Sequence, residues 1–298
     1  MRNSFGVEIP ERKMILESEA CSNYVEIVLE NYLGILGVKE YAIPDMIKQI
    51  FNLGKLNTDD YTYEESVHNI LIEHISQNAL DKALEERAER IFEQIKPHLI
   101  KGSTLDYGSG DGRVGMFVND LQGYVTLADI YKNPNNEKVG LPFIPLGTKR
   151  EESNISTDSF DNILLITVYH HCDFSMDTIS DSIRVAKSGG RLIIIESVCE
   201  IQPNLQGIIN NNSLTQSFMK LSLEDQLAVN VFFDHFYNRC IHYFPDPKMK
   251  VNVPYNYLTH DGWKAKLIEA SLNVIKIIPL GIDQPLAPLF HTLYVAEK

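Results

Sequence analysis

The stretch that decides the fold is Thr104–Gly115, which reads TLDYGSGDGRVG. A short apolar run reaches an acid, Asp106, and glycines follow at alternate positions, Gly108, Gly110 and Gly112. Apolar residues then recur every three or four positions, as they do on one face of a helix. The stretch therefore predicts a strand, a tight glycine turn and a helix. In that arrangement the backbone can lie against a ligand, and the first N–H groups of the helix point at it.

Two classes of cofactor are compatible with this turn. Gly110, Gly112 and Gly115 match the G-x-G-x-x-G fingerprint of dinucleotide-binding folds, but an isolated match of that kind is weak. Counted from the end of the strand, the stretch instead reads D-x-G-x-G-x-G, with Asp106 as its acid. Because a carboxylate at that point attracts an ammonium group and repels a pyrophosphate, the second frame is favoured. An ordinary glycine-rich turn without a ligand is the simplest alternative.

A second acid follows the next predicted strand. Asp129 ends the segment VTLAD, about 20 residues after the glycine turn, and Ile130 comes directly after it. A carboxylate at this spacing can accept hydrogen bonds from both ribose hydroxyls of a nucleoside. The alternative is an acid that caps a helix or closes a turn.

The fourth predicted strand, FDNILLIT at 160–167, runs directly into the segment VYHHCD. Ligands of open α/β sheets lie at the carboxyl ends of the strands, so Tyr169, His170 and His171 are candidates for a site. Two histidines beside a thiol and an acid also suggest a metal ion. Adjacent histidines on an extended chain point to opposite sides, however, and we therefore expect no metal there.

Together these features resemble the motifs of the class I methyltransferases that use S-adenosylmethionine (SAM). The glycine turn, Asp129, the histidine pair and the segment RVAKSGGRL at 184–192 come in the order that this family shows. The resemblance implies a Rossmann-like α/β fold, in which a doubly wound, mostly parallel seven-stranded sheet ends in an antiparallel C-terminal hairpin. It also implies SAM as the cofactor and S-adenosylhomocysteine as the product. The implied cofactor-binding residues are Asp106, Gly108, Ser109, Gly110, Gly112, Asp129, Ile130, Thr167 and Val168.

Many relatives also carry an acid that binds the adenine amino group, between the third and fourth strands. Here Glu151 and Glu152 are available, in a segment that is longer than usual. No motif aligns either of them with the acid of the family.

Hydrophobic periodicity divides the chain into helices and strands. The predicted strands are 103–107, 124–129, 141–146, 160–167, 190–197, 273–279 and 289–296. The predicted helices are 21–36, 44–53, 62–77, 79–96, 113–121, 174–187, 222–237 and 260–270. Pro44 suits a first helical turn, Gly54 is expected to stop the helix that follows it, and Thr259 is expected as an N-cap.

Helices dominate the chain before residue 100, and alternating strands and helices follow. Residues 1–100 are expected to form an N-terminal helical lid or dimerisation segment, with which a homodimer is compatible. Residues 101–298 are expected to form the SAM-binding methyltransferase domain, interrupted by a helical insert at 198–258.

The insert brings several polar side chains onto an otherwise apolar predicted helix. Asp234 and Asn238 are four residues apart, as are His235 and Arg239, which places each pair on one face. Arg239 can clamp a carboxylate or phosphate, or it can pair with Asp234 or Glu224. The alternative is a core helix with polar edges. The substrate-binding candidates are Tyr169, Tyr237, Asn238, Arg239 and His291. The last of these can equally be a hydrogen-bonded histidine of the sheet.

Composition limits the partners and the location. The formal net charge is −13, which repels nucleic acid, and no stripe of lysine and arginine with interleaved aromatic residues counters it. No apolar run reaches the ~18 residues of a membrane span, and the N-terminus has no secretory apolar region. Four cysteines without a C-x-x-C pair fit a reducing cytoplasm. We therefore expect a cytoplasmic protein with a small-molecule substrate and neither a nucleic-acid nor a membrane partner.

The resemblance therefore implies a SAM-dependent methyltransferase of small-molecule biosynthesis that methylates oxygen or nitrogen by in-line transfer. If the acceptor is a hydroxyl, a base that titrates near neutral pH is useful, which favours His170 or His171, with Asp234 as a further candidate. An amine or carboxylate acceptor needs no base. The alternatives are an enzyme of the same fold with non-methylating chemistry, such as a lyase or cyclase, and an inactive binding protein.

Overall fold

The computed structural model describes Ile15 and residues 17–56, 59–147, 153–173, 175–246, 250–284 and 286–298. The chain forms two compact units. The first contains the residues up to Arg87, together with Val198–Tyr257 and Leu280–Phe290, and the second contains Ala88–Ser197, Leu258–Pro279 and His291–Lys298. The insert expected at 198–258 therefore shares a unit with the N-terminal helices. The functional division at residue 100 stays a prediction.

The described residues of the N-terminal part of the first unit include the starts of the helices α1 (Glu19–Ile35), α2 (Ile43–Lys55), α3 (Asp60–Ile72) and α4 (Gln77–Ile95). Pro44 lies in the first turn of α2, as predicted. Gly54 does not stop that helix, since a single glycine near a helix end costs only about 1 kcal/mol, and α2 ends where Leu56 becomes extended. The helix predicted over 62–77 ends at Ile72 instead.

The insert adds two helices to the first unit, α8 (Ser213–Phe218) and α9 (Leu223–His235); α9 continues as a π-helical turn, Phe236–Ile241. Most side chains of α9 are buried, and Gln226, Asn230 and Asp234 place polar groups at intervals of four along it. Gln226 donates to the carbonyl of Ile201, and Asn230 donates to that of Val198. These bonds hold the helix to the chain that leaves the fifth strand.

The sheet contains eight strands among the described residues. They are β1 (Thr104–Tyr107), β2 (Val125–Asp129), β3 (Phe143–Pro145), β4 (Phe160–Ile166), β5 (Ala186–Cys199), β6 (Leu258–Thr259), β7 (Asn273–Gln284) and β8 (Ala287–Glu297). Their order is β3-β2-β1-β4-β5-β8-β7, and β6 pairs with β5 outside this path. Strands β1 to β5 pair in parallel, whereas β8 is antiparallel to β5.

This topology confirms the doubly wound, mostly parallel α/β fold with an antiparallel C-terminal end. The additional strand, β6, has only two residues, and so it carries no periodic pattern that a sequence could show. The helices beside the sheet are α5 (Arg113–Gln122), α6 (Asn135–Val139), α7 (Ser175–Val185) and α10 (His260–Glu269). Thr259 caps α10 as predicted, because its hydroxyl accepts a 2.9 Å bond from the amide nitrogen of Gly262.

The strand order reverses beside β1. From β1 the chain builds β2 and β3 on one side, and then returns to place β4 and β5 on the other. Ligands of open α/β sheets bind in the crevice outside the carboxyl ends of the strands at such a reversal. We therefore expect a ligand-binding site at the chain segments that follow β1, β2, β4 and β5. None of the helices among the described residues has both the length and the apolar character needed to cross a membrane.

Candidate active site

The glycine turn after β1 takes a conformation that other residues disfavour. Gly108, Gly110 and Gly112 have φ angles of +77°, +53° and +78°. A Cβ atom on Gly108 would lie 2.6 Å from a methyl group of Val168, and one on Gly112 would lie 2.8 Å from Oδ1 of Asn136. In front of Gly110 the space is open, with no atom within 4 Å of the same point. The turn is thus closely packed on two sides and open at its centre.

Asp129, at the end of β2, is held against this turn. Its Oδ2 atom accepts a 2.8 Å bond from the amide nitrogen of Gly110, and its Oδ1 atom accepts a 2.7 Å bond from that of Ile130. Burial nevertheless raises the pKa of Asp129 above its ordinary value. The carboxylate therefore lies where a ribose-binding acid was expected, and its contact with ribose stays a prediction. The side chain of Ile130 beside it is 49% exposed.

Asp106, in β1, is a buried acid with incomplete hydrogen bonding. Its side chain is 2% exposed, and its Oδ2 atom has no hydrogen-bond partner among the described residues. Burial, followed by the charges of Asp129 and Asp111, raises the pKa of Asp106 to about 7. Three acids thus surround the glycine turn, and a cationic ligand would relieve their mutual repulsion.

Two further polar side chains near the turn lack partners within the described residues. They are Ser109, through its hydroxyl oxygen, and Asn136, through both atoms of its amide. Asn136 is 1% exposed and comes from α6, in the asparagine-rich segment after β2. The sequence analysis missed Asn136, because one asparagine among several in a loop gives no periodic signal. Buried polar atoms of this kind usually have a partner, so Ser109 and Asn136 have hydrogen-bonding capacity available to a ligand or a water molecule.

The chain after β4 turns sharply. Thr167 has a φ angle of +56°, which is strained for a β-branched residue, and its amide nitrogen donates a 2.7 Å bond to the carbonyl of Ile195. This turn places Val168 against Gly108, so the structure brings two predicted cofactor-binding residues together. A 3₁₀ turn, Tyr169–His171, follows at once.

Glu196, near the carboxyl end of β5, organises that turn. Its Oε1 atom accepts bonds of 3.0 Å from the amide nitrogen of Val168 and 2.7 Å from that of Tyr169. Its Oε2 atom lies 2.6 Å from Nδ1 of His170. Sequence reasoning missed Glu196. The signal in the sequence was a single acid near the end of the apolar strand β5. This strand pairs with β4, the strand that leads to the histidines.

The two histidines do not lie on an extended chain, and that expectation is wrong. They lie on the 3₁₀ turn, which brings both rings to the same side, with ring centroids 4.1 Å apart. The expectation that the two histidines cannot share a metal ion assumed an extended chain, and this reason therefore no longer applies. The absence of a metal stays a prediction.

Two substrate-binding candidates of the second unit lie inside it. Tyr169 is fully buried, its hydroxyl lies 3.0 Å from that of Ser182, and its ring centroid lies 6.1 Å from that of Trp263. His291 is fully buried on β8, where it is paired across the sheet with Ser197. These positions account for both residues through packing, and their contact with a substrate stays a prediction.

The other candidates lie in the first unit. Asn238 donates a 2.8 Å bond to Oδ1 of Asp234, so these two residues share a face as predicted. Tyr237 packs edge-on against the ring of His242, with centroids 4.7 Å apart. Arg239 donates a 2.8 Å bond through Nε to Oε1 of Glu64, on α3.

The carboxylate of Glu64 is a partner of Arg239 that the sequence did not indicate, and a contact of Arg239 with substrate stays a prediction. Glu64 is fully buried, and it is shared by Arg239, His235 and Lys250. Burial alone would raise the pKa of this carboxyl, but the hydrogen bonds from those three side chains hold it at about 2. Glu151 and Glu152 lie outside the described residues.

No protein-family model matches the chain. Among curated proteins, a stretch of 101 residues is 27% identical to Protein RocB of Bacillus subtilis (strain 168). That stretch amounts to 33% of this chain and 18% of RocB, so the chain spans less than a fifth of that relative. A match of this extent indicates no activity for the whole chain.

Two solved structures share the fold over most of the chain. A SAM-dependent methyltransferase of Thermotoga maritima, described as a possible histamine N-methyltransferase, is 14% identical with a TM-score of 0.50, over 74% of this chain and 95% of that one. A complex from Haloferax volcanii, between the Trm112 methyltransferase activator and a protein described as a methyltransferase, contains a chain that is 13% identical with a TM-score of 0.50. That match covers 74% of this chain and 92% of the other. The chain therefore has the fold of the class I SAM-dependent methyltransferases.

Proposed function

We propose that this protein is a SAM-dependent methyltransferase that acts on a small-molecule acceptor. The observation that carries the proposal is the glycine turn on β1, which is packed by Val168 and Asn136 on its two sides and open at Gly110, whose amide nitrogen donates to Asp129. The turn lies where the strand order of a methyltransferase-type sheet reverses.

The residues around the turn fit SAM. Asp129 is suited to accept the ribose hydroxyls, and the exposed apolar side chain of Ile130 is suited to lie beside the base. Asp106 supplies negative charge toward the ammonium group of the methionine part. The unpartnered atoms of Ser109 and Asn136 supply further hydrogen bonds. When bound, the cofactor supplies a methyl group that is already activated on a positively charged sulfur.

The chain's own task is then to bind the acceptor in line and to exclude water. Alignment of two reactants can contribute on the order of 7–11 kcal/mol at best. Positive charge is lost during the transfer, so a dry environment favours it. The N-terminal helices and the insert are our candidates for the lid. A small molecule, rather than nucleic acid, is supported by the net charge of −13.

Calorimetry with SAM, S-adenosylhomocysteine and NAD tests the cofactor. We expect binding of the first two and none of NAD. Binding of NAD without SAM would return the turn to the dinucleotide class and end the proposal.

Incubation with methyl-labelled SAM and an extract of small metabolites tests the reaction. We expect label in one or a few products, and the Asp129→Ala variant serves as a control with weakened cofactor binding. If SAM is bound and no label moves, the chain is a non-methylating enzyme or a binding protein of the same fold.

A further inference from the structure

The guanidinium of Arg87, on α4 in the first unit, is held by an amide and not by an acid. Its Nε atom donates a 2.8 Å bond to Oε1 of Gln284, at the end of β7. Among the described residues, no carboxylate forms an ion pair with Arg87, and no other hydrogen bond holds it. The two Nη atoms of Arg87 are therefore available to a further acceptor.

Gln284 contributes a second unused donor. Because Nε of Arg87 can only donate, the amide atom that faces it is the oxygen, and the other amide atom, Nε2, is an NH₂ group. Gln284 is 1% exposed, and its Nε2 atom has no hydrogen-bond partner within the described part of the chain. Successive side chains of a strand point to opposite faces, so the neighbouring acid, Asp283, is directed away from this amide.

A third donor comes from Tyr32, on α1. This residue is 1% exposed, and its hydroxyl also lacks a hydrogen-bond partner in the described ranges. Burial raises the pKa of Tyr32 well above its ordinary value, so the hydroxyl keeps its proton and can donate it. The neighbours whose charges act on this phenol are Tyr237, Arg87 and Cys240. The guanidinium is thus close to the hydroxyl, and none of these neighbours is a carboxylate.

These three side chains, Tyr32, Arg87 and Gln284, are called the donor cluster. They offer unused N–H and O–H groups and one positive charge, while the amide oxygen is already occupied by Arg87. Apolar surroundings, such as the ring of Phe236 that lies edge-on to Tyr32 with centroids 5.7 Å apart, strengthen any charged hydrogen bond made there. The matching group accepts several hydrogen bonds and carries one negative charge, because a buried charge needs a balancing partner.

We propose that the donor cluster is a binding site for the carboxylate group of a small organic acid. The two carboxylate oxygens match the fork of the Arg87 guanidinium, and Gln284 and Tyr32 each donate a further bond. A phosphate group is a poorer match, because close to two negative charges would face a single guanidinium. The inference goes beyond the proposed function, since it assigns a ligand to the first unit.

The alternative is that water molecules accept these bonds and that the cluster serves only the packing of α1, α4 and β7. Tyr32→Phe separates the two explanations, because it removes one hydroxyl and keeps the ring. A buried hydroxyl without a partner costs free energy, so the unliganded variant should be at least as stable as the wild type. Gln284→Glu tests the site differently, since the new carboxylate should pair with Arg87 and occupy the place of the ligand.

The first measurement is calorimetry of the full chain with acetate, butyrate and benzoate, in a buffer free of other carboxylates and of phosphate. Each acid is compared with its primary amide, which has nearly the same shape and no charge. We expect at least one acid to bind with a Kd of about 1 mM or below, and its amide to bind at least 10-fold more weakly. Inorganic phosphate, titrated in the same way, should bind more weakly than that acid.

The second measurement repeats the titration with variants. Arg87→Met keeps the aliphatic stem and should weaken binding of the acid roughly 10- to 100-fold. Tyr32→Phe should weaken it about 10-fold, and Gln284→Glu should abolish it. The matched control is Arg90→Met, an exposed arginine on the same helix, which should bind the acid like the wild type. Urea denaturation of each variant without ligand shows that it is folded, and Tyr32→Phe alone still tests the site if Arg87→Met does not fold.

Three outcomes overturn the site. They are acids that bind no better than their amides, equal affinity for the acid in the wild type and the folded variants of the cluster, and a Tyr32→Phe variant that loses stability while it binds the acid normally. Tighter binding of phosphate than of every acid overturns the carboxylate assignment. None of these measurements contains SAM, so failure of the proposed methyl transfer and failure of this site are observed independently.

Discussion

The amide nitrogen of Gly110 donates a 2.8 Å hydrogen bond to Oδ2 of Asp129, which joins the turn after β1 to the end of β2. This bond places the carboxylate at the one open point of the glycine turn. A ligand that binds there would donate hydrogen bonds to the carboxylate oxygens of Asp129. Both oxygens already accept a bond from a backbone amide.

Replacement of Asp129 by alanine should weaken SAM binding by roughly 1–3 kcal/mol, the usual loss when a charged hydrogen-bond partner is removed. Calorimetry on the purified variant measures this directly. Asp120→Ala, an exposed acid of α5, is the matched control and should bind like the wild type. Unchanged affinity in Asp129→Ala would place the ribose elsewhere.

The raised pKa of Asp106 predicts a pH-dependent stability. The folded chain keeps this proton up to a pH of about 7, whereas the ordinary value is 3.8. Because the unfolded state releases the proton first, the free energy of unfolding should fall as pH rises from about 4 to 7. By linkage, the total decrease in the free energy of unfolding, which is complete once the pH is above about 7, is roughly 4 kcal/mol.

Urea denaturation of the wild type and of Asp106→Asn between pH 5 and 8 measures this effect. The amide cannot ionise, so the variant should gain stability relative to the wild type as pH rises. Asp120→Asn should follow the wild type throughout. A constant difference between Asp106→Asn and the wild type would mean that Asp106 titrates in its ordinary range.

Glu64 should be essential to the first unit. The Glu64→Ala change leaves the largely buried ammonium of Lys250 and the partly buried guanidinium of Arg239 without their counter-charge, and breaking a buried ion pair typically costs about 3–5 kcal/mol. Chemical denaturation gives the loss, and Glu65→Ala, on the exposed side of the same helix, is the matched control. Similar losses in the two variants would contradict the shared-carboxylate explanation.

The same carboxyl predicts acid sensitivity of a defined kind. Its pKa is lowered from 4.5 to about 2 in the folded chain. The stabilisation that it supplies is therefore complete above pH 4.5 and is lost as pH falls toward 2. An acid titration followed by circular dichroism should show Glu64→Gln losing less stability over this range than the wild type loses.

Gly108→Ala should destabilise the fold in two ways, through a clash of the new methyl group and through a positive φ angle that alanine disfavours. A second glycine, Gly140, allows the two costs to be measured separately. Gly140 has a φ angle of +70° but nothing within 4 Å of the Cβ position, so Gly140→Ala should show only the conformational cost, about 1–2 kcal/mol. Gly108→Ala should lose roughly 1–3 kcal/mol more, because its new methyl meets Val168. Equal losses in thermal or urea unfolding would show that the turn can relax.

The sheet was predictable because β4 and β5 contain continuous apolar runs and the glycine turn after β1 allows few other conformations. β1, β2, β4 and β5 all begin within a few residues of the predicted positions. Local patterns fail where tertiary contacts decide. Nothing near His170 in the sequence shows that it turns toward Glu196, 26 residues later, and the sequence predicts extended chain where the 3₁₀ turn lies.

The first unit shows the same limit more strongly. Arg239 and Glu64 are 175 residues apart, and no local sequence pattern around either residue indicates that they form a pair. Hydrophobic periodicity indicates which face of a helix is buried, but it does not indicate which element packs against that face. For that reason the pairs within one helix, such as Asp234 with Asn238, were predictable, and the pairs between helices were not.

The discontinuous make-up of the first unit has a consequence for synthesis of the chain. Roughly 110 residues separate Arg87 from Val198, and at 5–20 residues per second the ribosome needs about 5–20 seconds to add them. During that delay Glu64 has neither Arg239 nor Lys250 beside it, and the apolar faces of the N-terminal helices wait for α9. The N-terminal helices are thus among the last elements to reach their folded state, and chaperones have time to bind them before α9 is made.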